Sequence, residues 1–488
     1  MKILFLWKRE NFMASIGLCQ ISAMAKDIGH ETYLCDMNVE HYMDAMMRVQ
    51  PDVVACGMMT GDAKHYILAT HEIKKVYPNV KIIGGGVHCT FFPEMIHKTS
   101  MDAIVIGEAD HAFQDLLISI DNHVGYEGIK NVVTRDTVNP LQNIRPLIAN
   151  LDSLPHPDYG LVYDNTPLGK STLKLFMTSR GCPARCAYCF NDKFHEMYKG
   201  KGTWGHIRRN SVDYVIEGFR RIQRKYPFNF CKIYDDILFT HVDDWVIEFA
   251  ERFPAEVGIP FFCFGRADLM TEDMVRLLKQ AGCHTISMSI ESGNEHVRKD
   301  LMHRQMTNEE IVEAHLLCLK YGIKTFTNVV LGIPDTTLEE EIDSLDLAIK
   351  SKVDWIEYAI FEPYPGTWLG DYAVNKGYFD AEYDNMHTGY HYKSPLTCFS
   401  EERKRQQLAF TTIGVVASLF PFLRNWFVRS GMNKKLTKFW LFIYWLVKMY
   451  VVRYKLYPSG QRGLESLRIY WRSWKQEKFK HSEETNVP

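Results

Sequence analysis

The chain has 488 residues, 46% hydrophobic and 24% charged, with a formal net charge of −2. This is a globular composition with room for two or three domains, and it excludes disordered, collagen-like and disulfide-framework chains. The near-neutral charge hides an asymmetry: residues 401–488 hold 17 Lys+Arg against 6 Asp+Glu and five of the ten tryptophans, which argues that the tail meets an anionic or amphipathic surface.

The opening MKILFLW is too short for a secretory h-region and reads as a buried strand, and twelve scattered cysteines fit a reducing, cytoplasmic compartment. Strand-like runs at 2–7, 31–35, 53–57, 81–84 and 103–106 alternate with helical periodicity at about 19–28, 39–49, 63–76 and 91–96. That alternation predicts a parallel α/β sheet, whose ligand sits at the carboxyl ends of the strands. Thr60 and Gly61 follow the third strand, Gly85, Gly86 and His88 the fourth, and Gly107 and Glu108 the fifth. Glycines there let a backbone approach a bulky ligand. No G-x-G-x-x-G follows the first strand, which argues against a nicotinamide site. His88 reads either as a cofactor contact or as a loop histidine capping the next helix; His65 reads as a plain helical residue.

Residues 140–167 are rich in Pro, Asn and Asp and read as an extended connection. Strands at 174–178, 232–234, 261–264, 285–289, 325–331 and 355–360 then alternate with helices at 212–225, 242–253, 272–280, 308–321 and 338–350. Six such units predict a partial barrel, with chemistry at the carboxyl strand ends. Residues 401–475 read as helices. The run 439–450 is 12 residues long and holds Lys448, short of the ~20 that a membrane span needs. It fits a helical cap over the barrel or an interfacial helix at a membrane surface, and nucleic-acid contact is the weakest reading.

Cys182, Cys186 and Cys189 stand in C-x-x-x-C-x-x-C spacing after the first barrel strand, with Gly181 before them and Tyr188 inside. Three thiolates on one loop can hold three irons of a 4Fe–4S cluster and leave one iron open. A zinc site would want a fourth ligand, for which His195 is the nearby candidate. A disulfide with a spare thiol does not suit a reducing compartment. At later strand ends stand Asp235 and Asp236, then Arg266, then Glu291 with Ser292 and the downstream Arg304, then Gly332 and Pro334, then Glu362 to Thr367. Of the two adjacent acids at most one needs to face the mouth, and a helix N-cap pair is the other reading.

The cysteine spacing with Tyr188 resembles the signature of the radical S-adenosylmethionine (SAM) enzymes, and the strand ends agree with it in order. The resemblance implies a 4Fe–4S cluster on Cys182, Cys186 and Cys189. It implies SAM held by Tyr188, Asp235, Asp236, Arg266, Glu291, Ser292, Arg304, Gly332 and Pro334. Asp335 stands where a glycine is often found. The pieces of residues 1–140, with GGGVHCT and GEAD, resemble the cobalamin-binding domain fused to many radical SAM enzymes. That implies cobalamin contacts from Thr60, Gly61, Gly85, Gly86, His88, Gly107 and Glu108. TGDAKHY lacks the D-x-H-x-x-G spacing, so cobalt is expected without a protein histidine. LPHPDY resembles the stretch joining the two domains.

The expected fold is α/β, with a Rossmann-like cobalamin-binding domain at 1–140 and a linker at 141–170. A partial (β/α)6 TIM-like barrel at 171–390 and a helical, basic and aromatic region at 391–488 follow. The implied function is a cobalamin-dependent radical SAM enzyme. In its commonest chemistry a 5′-deoxyadenosyl radical opens an unactivated carbon, which takes a methyl group from methylcobalamin. The oxidative cyclases of chlorophyll precursors share the layout and give a second reading without methyl transfer. A cobalamin sensor or carrier is a reading of another class, which the cysteine motif opposes. A methylthiotransferase would need more cysteines near the amino terminus, where Cys19, Cys35, Cys56 and Cys89 read as packing. The implied partners are a small-molecule substrate, lipid-like or anionic and amphipathic if the tail is a guide, and an external reductant of the flavodoxin or ferredoxin type. The location is cytoplasmic, with peripheral membrane contact through 401–475.

Overall fold

The computed structural model describes residues 1–8, 14–201, 207–383, 386, 391–434 and 436–458. The part of the expected tail helices after residue 458 lies outside the described residues, Trp471 and Trp474 included.

The first sheet contains β1 (Lys2–Trp7), β2 (Glu31–Asp36), β3 (Val53–Gly57), β4 (Lys81–Gly85), β5 (Ala103–Val105) and β6 (Val132–Val133), in the order β2-β1-β3-β4-β5-β6. All pairs are parallel except β5 with β6. In β1 five consecutive residues are buried, as suits a strand covered by helices on both faces. The order reverses between β1 and β3, the place where such sheets open a crevice at their carboxyl ends. After β4 the chain does not run as a loop to a helix at 91. Helix Gly86–Phe91 begins at once, and Met95–Lys98 follows. Gly86 makes the turn at φ +92, and a Cβ there would stand 2.7 Å from the Met58 carbonyl oxygen and 2.9 Å from its nitrogen. Only glycine fits that close approach.

The second sheet is built from β7 (Leu173–Phe176), then, after the short antiparallel pair β8 (Ser179–Arg180) and β9 (Arg208–Arg209), from β10 (Phe230–Ile233), β11 (Phe261–Gly265), β12 (Cys283–Met288), β13 (Lys324–Leu331) and β14 (Trp355–Ile360). Its order is β14-β13-β12-β11-β10-β7, all parallel. β7 and β14 are both edges, so the sheet curls into a half-barrel. β13 alternates half-buried and buried residues along its length. The buried set faces the helices and the other lines the lumen. The strands and the helices Val212–Lys225, Glu272–Gln280 and Leu338–Lys350 fall where the sequence pattern puts them.

The segment read as an extended connection is packed instead. Leu151, Leu154, Tyr159, Leu161 and Val162 are buried. Asp158 accepts from Ser22 Oγ at 2.7 Å and pairs with Lys26 at 2.7 Å, while Asp152 accepts from Asn210 Nδ2 at 3.0 Å. The strap thereby ties both domains into one core that runs from Phe5 through Tyr159 to Phe176 and Phe219. Its apolar residues follow no period, so the Pro, Asn and Asp content masked them.

The tail caps the barrel. Phe410, Ile413, Phe427, Tyr444 and Leu456 are buried in the same core. Tyr358 Oη lies 2.8 Å from Ser418 Oγ, and Thr285 Oγ1 donates to the Leu456 carbonyl at 2.8 Å. Among the described residues no helix is long and apolar enough to cross a membrane.

Candidate active site

β8 and β9 form the neck of an excursion that carries all three cysteines. Cys182 and Cys186 are buried and Cys189 is half-buried, and all are unpaired. Burial pushes the Cys182 thiol up to about 11 and the Cys189 thiol higher still. Bound iron would supply the positive charge that deprotonates such thiols. His195, the candidate fourth zinc ligand, donates through Nε2 to the Cys182 carbonyl at 3.0 Å. Among the described residues no three His, Cys, Asp or Glu side chains converge so as to hold a single metal ion. A zinc site needs that convergence, whereas a 4Fe–4S cluster gives each thiolate its own iron.

Two guanidinium groups aim at the middle cysteine. Arg304 Nη1 lies 3.7 Å and Arg266 Nη1 3.9 Å from Cys186 Sγ. Such charges suit an anionic cluster, so the donor set fits it. Arg304, itself buried, also reaches Tyr188 Oη at 3.5 Å, the Ser289 carbonyl at 3.1 Å and Glu291 Oε1 at 3.9 Å. Glu291 sits at φ +62 just past β12, and its carboxyl is raised by burial against the pull of Arg304.

The two adjacent acids divide their work. Asp235 is buried and accepts from Thr178 N at 2.6 Å, Thr178 Oγ1 at 2.5 Å and Ser179 Oγ at 2.8 Å, bracing the chain between β7 and β8. Burial pushes its carboxyl up to about 6 against those bonds. Asp236 is exposed, bonds with Asn191, and bears electrostatically on Cys182 and Cys189. It is therefore the member of the pair facing the cysteine loop. Ser292 is buried, its carbonyl holding Arg298 Nη1 at 2.5 Å. Gly332 N donates to Glu341 Oε1 at 2.8 Å, and Pro334 beside it is buried. Asp335 adopts φ +63, a conformation that glycine takes freely, and accepts from Tyr372 and Tyr378 hydroxyls at 2.6 and 2.7 Å.

The carboxyl edge of the first sheet faces this mouth. Thr60 and Gly61 lie in a short turn after β3, Gly85 closes β4 and Gly86 opens the helix that follows. His88 is buried on its helix, with Nδ1 3.4 Å from Thr60 Oγ1 and its ring against Phe92. Gly107 is at φ +70, and a Cβ there would stand 2.2 Å from Tyr198 Oη of the barrel domain. Glu108 is gripped by Arg208, Nη2 at 2.6 Å and Nη1 at 3.1 Å. Gly86 is packed on the Met58 backbone, whereas at Gly85 a Cβ would meet only the Val105 carbonyl oxygen at 3.6 Å, so Gly85 is where a large flat cofactor would come against the backbone. Gly107 N also donates to Thr90 Oγ1 at 3.1 Å within the first domain, while the carboxylate of Glu108 is held by Arg208 of the second.

The sequence reading named Glu362 only as part of the run past the last strand, and it passed over Lys232 and Gln407. Glu362, two residues past β14, is 5% exposed, leaves Oε1 without a hydrogen bond and is pushed up to about 8 by burial. Lys232 in the lumen lies over the rings of Phe262, Tyr234 and Phe264 at 4.5–5.1 Å, and burial pulls it down to about 8. Gln407 of the tail donates to Glu341 Oε1 at 3.0 Å beside Gly332. Lys232 lies only two positions before Tyr234 in a strand run, which is the one signal that could have marked it as lumen-facing.

The Radical SAM superfamily profile matches residues 176–348, and the B12 binding domain profile matches residues 4–117. An uncharacterised methyltransferase of Pyrococcus horikoshii is 27% identical over 375 residues, 74% of this chain and 78% of that protein. An anaerobic magnesium-protoporphyrin IX monomethyl ester cyclase of Rubrivivax gelatinosus is 22% identical over 349 residues, 68% of this chain and 60% of its own. The radical SAM methyltransferase TsrM of Kitasatospora setae, solved with cobalamin and a 4Fe–4S cluster, shares the fold at TM-score 0.66 and 15% identity, over 99% of both chains.

Proposed function

This chain is a cobalamin-binding radical SAM enzyme, and we propose that it is a methyltransferase acting on an unactivated carbon of a small molecule. When bound, the cluster and SAM supply a carbon-centred radical and cobalamin a methyl carrier, chemistry that no side chain provides. The observation that carries the reading is the cysteine loop with Asp236, Arg266, Glu291 and Arg304 around it, facing the glycine-lined edge of the first sheet. Asp236 is placed to take the ammonium of methionine. Glu291 would accept from ribose hydroxyls, with Arg304 holding it in position. Tyr188, Ser292, Gly332 and Pro334 would line the rest of the SAM pocket, while Asp235 braces the strand end. Thr60, Gly61, Gly85 and Gly86 would border the cobalamin, with no protein histidine on cobalt. Like others of its superfamily the enzyme draws on an external reductant.

We keep the division at 1–140, 141–170, 171–390 and 391–488, and place the protein in the cytoplasm. The basic, aromatic tail supports an amphipathic anionic substrate or contact with a membrane surface. Anaerobic reconstitution with SAM labelled in its methyl carbon tests the reading: label in a carbon–methyl product supports it. Deoxyadenosine formed without label transfer would sink methylation and favour ring formation, the reading that the cyclase relative supports.

A further inference from the structure

The excursion bearing the cysteines starts at β8 and returns at β9, and both strands of that neck are held from the other domain. Arg180, two residues before Cys182, forms a fork on Asp110, Nη1 to Oδ2 at 2.7 Å and Nη2 to Oδ1 at 2.9 Å. Arg208 forms a second fork on Glu108, and Arg180 Nη1 also lies 3.7 Å from Glu108 Oε1. Asp110 and Arg208 side chains are 4% and 5% exposed. Both acids follow β5, at the edge where cobalamin would bind. Tyr198, just past the helix Phe190–Met197 that Cys189 caps, adds a hydroxyl that accepts from Glu108 N at 3.0 Å.

Buried bidentate pairs of this kind are weak evidence for added stability, because desolvation offsets much of their attraction. What they supply is geometry: the planar fork admits one orientation. We propose that Glu108 and Asp110 are positioning residues. They hold the cluster loop in a fixed place against the first domain, and so set the separation between the cluster and cobalamin. On this assignment Glu108 serves the cofactor pair through Arg208 rather than by touching cobalamin. The proposal rests on the two-cofactor reading above.

The test is electron paramagnetic resonance on the full chain reconstituted with cluster and cob(II)alamin. The readout is the dipolar splitting and relaxation enhancement that the reduced cluster imposes on the cobalt signal, which depend on distance and not on turnover. The parent gives a single, well-defined coupling. Asp110→Asn and Arg208→Lys keep their iron and cobalamin content but lose that single value, giving a spread of couplings. Amide hydrogen exchange of residues 180–198 speeds up in parallel. The swapped pair Asp110→Arg with Arg180→Asp recovers the single coupling. Loaded variants whose coupling and exchange match the parent overturn the proposal. Should Asp110→Asn not fold, Arg208→Lys decides alone, since it keeps the charge and removes only the fork. A parent that binds no cobalamin overturns the two-cofactor reading itself, a failure visible before any variant is made.

Discussion

The two strand edges that face each other use opposite means. The barrel mouth is set with charged side chains: Arg266 and Arg304 point at Cys186, and Asp236 and Glu291 stand across from them. The edge of the first sheet offers little charge to a ligand. Its glycine at position 86 packs backbone on backbone, and its acids at 108 and 110 are committed to Arg208 and Arg180. A small zwitterionic ligand such as SAM is recognised by placed charges, whereas a large flat cofactor is recognised by shape. The first mode fails when a charge is removed and the second when a gap is filled.

That contrast can be broken from either side. Cys186→Ala should abolish cluster-dependent SAM cleavage altogether, read as lost iron and lost deoxyadenosine, while cobalamin binding persists. Arg304→Met removes a buried cation shared by Cys186, Tyr188 and Glu291. It should cost about 3–5 kcal/mol, the range for breaking a buried pair, in anaerobic urea unfolding. Glu362→Gln should do the reverse. A carboxyl raised from 4.5 to about 8 in the folded state is held protonated there. The stability it allows is full below the unfolded value and is lost as pH climbs towards the folded one. The amide has nothing to lose, so the variant's margin over the parent should grow by ~4 kcal/mol between pH 5 and pH 8.5. Gly86→Ala should destabilise by about 1–3 kcal/mol, as a side chain forced into that backbone region does, with the melting temperature as readout. Gly85→Ala is the smallest and sharpest. A Cβ there stands 3.6 Å from its nearest neighbour, the Val105 carbonyl oxygen, so stability should hold while cobalamin affinity falls. An unchanged affinity would remove Gly85 from the cofactor edge.

The half of this contrast made of charges was legible in the sequence, because Arg266 and Glu291 lie at ends of strands whose alternation is strong, whereas Arg304, well past the end of β12, was marked only by the family resemblance. Both sheets and most of their helices were legible for the same reason: parallel strands buried on two faces read as near-continuous apolar runs. What could not be read was partnership across the domains. Glu108 looked like a ligand residue because it follows a strand, and nothing in its neighbourhood of sequence announces Arg208 one hundred positions away. The strap at 151–162 was hidden for a related reason. Its buried residues answer to two domains at once and so keep no single period. The division of labour between Asp235 and Asp236 needed the three donors from Thr178 and Ser179 to become visible.

The tail's hydrogen bond from Thr285 to Leu456, with the Tyr457 ring 5.3 Å from Phe262 and 5.9 Å from Phe230, lies at the amino-terminal ends of the strands. The half-barrel is therefore a cup with a floor, not a tunnel. Among the described residues the tail covers this end, and the carboxyl-end mouth lies opposite it, towards the first domain.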